Sequence, residues 1–126
     1  MARIQPITID TPNVNEIANL REIVDDITQC IDWIQNTGGE RVAEIIREMG
    51  QRILTGSRLE KQALHVVMEN VRMLAWEASL PREDRRLRAT NAALSYIPPL
   101  LITSLDVLDY FQAHLEDLKK FFDIPG

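Results

Sequence analysis

The chain has 126 residues, 45% of them hydrophobic and 26% charged, a balance that suits one globular domain with one core and excludes a disordered low-complexity segment. Its net charge of -5 argues against a generic nucleic-acid binder, and its single cysteine, Cys30, excludes an internal disulfide and a cysteine-rich zinc site. The charge is uneven, with a net -4 over residues 1–57, +2 over 58–88 and -3 over 89–126, so a small basic island lies between acidic flanks.

Residues 1–12 carry Arg3, Asp10 and two prolines, without the basic start and apolar centre of a secretory signal. Ile4, Ile7 and Ile9 alternate loosely up to Thr11-Pro12, which predicts an N-terminal arm ahead of a single helical domain over residues 13–126. Asn13 is the expected N-cap of the first helix, with Glu16 reaching back to its free N–H groups, and Asn36-Thr37-Gly38-Gly39 stops it near Gln35. Thr37 with Glu40 reads as a cap-like start for the second helix, which Thr55-Gly56 ends. Ser57 with Glu60 forms a capping-box pattern for the third, running to about Ser79.

Pro81 suits the first position of a fourth helix, with Glu83 and Asp84 at its positive dipole end. Pro98-Pro99 is expected to break or kink the chain, and a fifth helix then runs to about Phe122. The longest apolar stretch, residues 97–108, is interrupted by both prolines and Asp106 and is too short to span a bilayer. The expected fold is therefore all-α, an up-and-down antiparallel bundle of four to five helices with a short arm. With one cysteine and no membrane segment, the expected location is cytoplasmic.

The apolar faces are clear for most helices. Ile17, Leu20, Val24, Ile27, Ile31 and Ile34 make the seam of the first, widened by Ile23 and Cys30; Val42, Ile45, Ile46, Met49 and Ile53 make that of the second. Ala63, Val67, Val71, Leu74 and Ala78, flanked by Leu64, make that of the third. Both tryptophans fall off these faces. Trp33 lies among Glu22, Asp26 and Gln29, and Trp76 shares a stripe with His65, Glu69 and Arg72. Such rings are either covered by a neighbouring helix or by the arm, or they belong to a partner interface, where tryptophan often dominates the energy. The fifth helix has an apolar arc exceeding half its circumference, including Phe111, Leu115, Leu118, Phe121 and Phe122. That excess predicts either a central helix or an oligomer seam.

Candidate chemistry is sparse. Arg58 and His65 stand at R-x6-H spacing, which resembles the catalytic pair of the HEPN ribonucleases, small all-helical domains that act as dimers. The resemblance implies Arg58 stabilising a phosphate and His65 shuttling protons from one face of the third helix. His114, beside Tyr110, reads as a boundary residue, and neither histidine has the glutamate three residues earlier that a di-iron bundle needs. Arg82, Arg85, Arg86 and Arg88 form a basic patch, with Arg85, Ala89, Ala92 and Tyr96 expected on one side. It would meet RNA phosphates or an acidic partner unless Glu83, Asp84 and the bundle neutralise it. Residues 80–84 and 92–98 are faintly similar to the bacterial four-helix proteins encoded in ribosomal RNA intervening sequences. The match covers under a fifth of the chain, has an extra residue before Ile97, and lacks the Asn, Glu and Gly that follow the proline there. A bundle pocket near Phe111, Tyr110 and Met73 is a further option, with no polar constellation to name its ligand.

The sequence thus leads to a non-catalytic helical-bundle interaction protein, an adaptor, assembly or regulatory subunit that self-associates or joins a larger complex. RNA binding or HEPN-like cleavage is the alternative, and no metal or cofactor is expected.

Overall fold

The computed structural model describes residues 3–9 and 19–125. Six α-helices follow in order: α1 Leu20–Asn36, α2 Glu40–Gly56, α3 Lys61–Ser79, α4 Leu87–Leu100, α5 Leu105–Ala113 and α6 Leu115–Phe121, with a 3-10 turn at Arg82–Asp84. No strand occurs among the described residues, so the fold is all-α, with six helices where four or five were expected. Helix α3 packs against α1, α2 and α4, and α2 in turn carries α5 and α6. The position of α3 widens its buried face beyond the expected stripe to take in Met68, Ala75 and Glu77.

Helix starts and stops differ from the local signals because tertiary partners compete for the same polar groups. Asn19, at φ 66°, occupies the left-handed region that asparagine tolerates, and α1 begins directly after it. The expected cap at Asn13 lies outside the described residues. The Thr37 hydroxyl donates to the carbonyls of Trp33 at 3.0 Å and Ile34 at 3.1 Å, closing α1 rather than opening α2. Gly38, at φ 97°, then lets the chain reverse, and Gly39 donates its N–H to Ile34 O at 2.9 Å. The Ser57 hydroxyl likewise turns back to Ile53 O, so the expected capping box does not form, and the Arg58 N–H is taken by the Ser104 hydroxyl at 3.0 Å.

Pro98 and Pro99 are followed by the expected break: α4 ends at Leu100 and α5 begins at Leu105. They sit in the last turn of α4, where only two carbonyl partners are lost, and fully buried Ile97 and Leu101 hold that turn in the core. The expected fifth helix is divided once more, at His114, whose N–H bonds Phe111 O at 3.2 Å and whose Nδ1 lies 2.9 Å from Tyr110 O. This break is what covers the wide apolar arc. By re-aiming the chain it buries Val107, Phe111, Leu118 and Phe122 in the domain's own core, leaving Leu115 and Phe121 half-buried. The residues expected at an oligomer seam thus lie mostly inside the fold, and α5 packs mainly on α2 rather than at the centre.

A Cβ on Gly39 would stand 2.6 Å from Ile34 Cγ2, a fully buried side chain, and 3.2 Å from its carbonyl. Gly39→Ala should therefore lower stability by about 1–3 kcal/mol in urea unfolding. Gly56→Ala meets no atom within 4 Å. It should be neutral or stabilising by up to about 1 kcal/mol in the same experiment.

Candidate protein-interaction face

A furrow lies where α1 meets α3 and the chain just beyond α3, and both tryptophans line it. Trp33 is 60% exposed and Trp76 53% exposed. Among the described residues neither ring is covered by a second helix, and residues 3 and 4 of the arm meet Asp32 and Gln35. Two adjoining hollows share Gln29, Cys30 and Trp76: one of about 350 Å³ adds Trp33, Leu80 and Pro81, the other of about 430 Å³ adds Asp26, Met73 and Arg86. A third, of about 260 Å³, continues across Met73 to Ala89, Ala92 and Tyr96 on α4. Tyr96 is 63% exposed, so three large aromatic side chains rim one continuous face over α1, α3 and α4.

The charged side chains of this face brace it. Along α3, His65 Nε2 lies 3.2 Å from Glu69 Oε1, and Arg72 Nη2 lies 3.8 Å from the same carboxylate. Arg72 Nη1 donates across to Asp26 Oδ2 on α1 at 3.2 Å. The stripe read from the sequence is therefore linked from His65 through Glu69 to Arg72, with Trp76 lining the same hollow as Arg72, and the cross-helix partner, Asp26, has no local signal. Cys30 forms part of the furrow floor; burial pushes its thiol up, opposed by a hydrogen bond with Ser79, while nearby Asp26 raises it further. Such a thiol is a packing group at neutral pH.

Three members of the arginine patch are committed to the fold. Arg82 clamps Asp123 with two bonds of 2.6 and 2.8 Å. Arg85 donates to the carbonyls of Leu80, Phe121 and Ala78 at 3.1, 3.3 and 3.4 Å, and its guanidinium stands 4.3 Å from the Phe121 ring centre. Burial lowers its pKa, with Asp123 the main opposing influence. It therefore faces α6 and does not share a side with Ala89, Ala92 and Tyr96. Arg86 serves Glu77, a carboxylate with no exposed surface: its backbone N–H donates to Oε1 at 2.6 Å, and Nε and Nη2 donate to Oε2 at 3.1 and 2.9 Å. Arg88 is exposed. The residues expected to begin α4 form instead the 3-10 turn and an extended Arg85-Arg86 pair, because these three arginines pull the chain onto α3 and α6.

The other candidates separate in space. Arg58 precedes α3, which begins at Lys61, so it does not share a helix face with His65. The His114 ring packs on Tyr110 at 4.3 Å. Phe111 is buried, Tyr110 lines a hollow beside the arm with Arg52 over its ring, and Met73 lines the tryptophan furrow, so these three do not converge. Among the described residues, no three His, Cys, Asp or Glu side chains gather as metal ligands would, and no helix is long and apolar enough to cross a membrane. No protein-family model matches the chain, and neither a curated protein nor a solved structure does.

Removing one side of the Glu77–Arg86 clasp leaves buried polar groups without partners. Glu77→Ala should cost about 2–4 kcal/mol, and Arg86→Ala, which keeps the backbone bond and has a partly exposed side chain, about 1–3 kcal/mol, by chemical denaturation. Because burial raises the Cys30 thiol, the unfolded chain ionises first as pH rises. The stability difference between the parent and Cys30→Ala should be constant near pH 7 and shift against the parent above about pH 8.5, measured by urea midpoints.

Proposed function

We propose that the chain is a non-catalytic helical-bundle interaction protein, acting as an adaptor, assembly or regulatory subunit, and that the α1–α3–α4 face receives a protein partner or a second copy of the chain. The observation that carries this reading is the continuous furrow rimmed by Trp33, Trp76 and Tyr96, each more than half exposed. Solvent-facing aromatic surface is unfavourable in water, and desolvating it is a large contribution to association. Tryptophan and tyrosine also lose few rotamers when they dock. The braced wall of Asp26, Arg72 and Glu69 supplies a polar rim beside this apolar strip, as protein interfaces have.

An up-and-down course for the four longer helices belongs to this reading, supported by their short connections. So does a cytoplasmic location, supported by the lone buried thiol. The alternative of RNA binding through the arginine patch has less support, since Arg82, Arg85 and Arg86 are held by Asp123, backbone carbonyls and Glu77.

Sedimentation velocity at low micromolar concentration tests self-association. The parent chain is expected to sediment as an oligomer, and the double variant Trp33→Ala, Trp76→Ala as a monomer with folding stability within about 0.5–1 kcal/mol of the parent. An identical monomer peak for both chains would remove the self-association form of the proposal.

A further inference from the structure

The best-defined recognition geometry in the molecule lies away from the tryptophans, where residues 3–9 cross α1 and α2. Their contacts address the main chain. The Gln51 carboxamide takes the Thr8 N–H at 2.9 Å and donates to the Thr8 carbonyl at 3.2 Å, meeting both polar groups of one residue. Arg47, one turn earlier on α2, donates to the carbonyls of Gln5 at 3.1 Å and Pro6 at 3.4 Å. From α1, Gln35 accepts the Ile4 N–H at 3.2 Å. One helical turn from Arg47 to Gln51 advances about 6 Å, close to the length of two extended residues, so this ladder matches the repeat of an unfolded strand.

Side chains of the segment are engaged as well: the Thr8 hydroxyl donates to Gln51 Oε1 at 3.3 Å, Ile4 and Ile9 pack partly buried against the core, and Ile7 and Arg3 have the most specific partners. Ile7 is buried, and an ideal Cβ on Gly50 would come 3.0 Å from Ile7 Cδ1 and 3.9 Å from both Met68 Cε and Val71 Cγ1. A glycine on α2 therefore makes the hole that an aliphatic side chain fills. At the other end Arg3 pairs with Asp32 at 2.9 Å.

From this geometry we infer that the surface running from the end of α1 over α2 to the Gly50 hole beside α3 is a binding site for an extended peptide, occupied in cis by residues 3–9 and open to a partner segment of the same chemistry. Such a segment carries an aliphatic residue in the Ile7 position and a basic residue four positions earlier. Backbone-directed bonds give affinity with little sequence demand, and the Gly50 hole supplies specificity, the division of labour used where peptides add to exposed edges. Tethering gives the cis arm an effective concentration in the millimolar range, so a partner enters only when the arm is displaced. The inference stands independently of the tryptophan face.

The test uses the full chain and a fluorescently labelled peptide with the sequence of residues 3–9. Thr8→Pro removes the N–H that Gln51 accepts, and Ile7→Asp empties the Gly50 hole; each should release the arm. If the cis arm is seated about nine-tenths of the time, the peptide should bind either variant roughly tenfold more tightly than the parent by anisotropy. Adding Gln51→Ala should weaken that binding about tenfold, and a peptide with Asp in the Ile7 position should not bind. Failure of the peptide to bind variants that circular dichroism shows to be helical, or binding indifferent to Gln51→Ala, overturns the site. Should both variants misfold, hydrogen exchange on the parent decides. Millimolar peptide is expected to abolish protection of the Thr8 amide in the arm, and unchanged protection would overturn the inference.

Discussion

A carboxylate with no exposed surface, Glu77, sits on the helix that packs against α1, α2 and α4, and much of the structure follows from satisfying it. An ionised carboxylate buried without donors would be strongly destabilising, so the chain beyond α3 must return at once to supply them. It does so with Arg86, using backbone and guanidinium together. That return fixes the extended Arg85-Arg86 pair, delays α4 until Leu87, and turns Arg85 toward the Phe121 ring, which ties α6 to the α3–α4 corner. The Thr90 hydroxyl, bonded to Arg86 O at 3.1 Å, holds the first turn of α4 to the same point.

With α4 anchored in this way, its outer surface and that of α1 flank α3 without closing over it. The core is complete on the inner side, where Leu20, Ile23, Ile27, Val67, Val71 and Leu74 have little or no exposure. The outer side keeps Trp33, Trp76 and Tyr96 in contact with solvent. The rings do not serve the packing of the monomer, whereas the ion pairs between them do, through Arg72 and Asp26. The same separation holds at the arm. The buried Gln35 of α1 and the half-buried Arg47 and Gln51 of α2 meet main-chain atoms of residues 4–8, while Ile7 is buried in the core and Ile4 and Ile9 pack against it.

Much of this was legible in the sequence, and the failures share a cause. The apolar seams of α1 and α2 match their buried faces, because a period of 3.6 residues is a local property. The outward placement of Trp33 and Trp76 was readable in the same way. Caps were misread where one side chain had two possible partners. Thr37 and Ser57 closed the preceding helix instead of opening the next, since unpaired carbonyls at a helix end attract a hydroxyl as strongly as unpaired N–H groups do. The two prolines mark the end of α4 as expected, since each withholds an N–H from the carbonyl four residues earlier. Tyr96 had been noted only as a neighbour of Arg85, which in fact points elsewhere.

The sequence by itself determined the helical class, the inward faces of α1 and α2 and the positions of the two exposed tryptophans, because each depends on residues within a few turns. The tertiary structure alone decided that α3 packs against α1, α2 and α4, that the break at His114 folds a wide apolar arc into the core, and that the arginines serve Asp123, Phe121 and Glu77. It alone placed the arm on Gln51. These outcomes rest on pairings across 9 to 43 positions of the chain, such as Glu77 with Arg86 and Thr8 with Gln51. A buried charge or main-chain group takes whichever donor the packed helices bring within 3 Å or so, and no local periodicity encodes that choice.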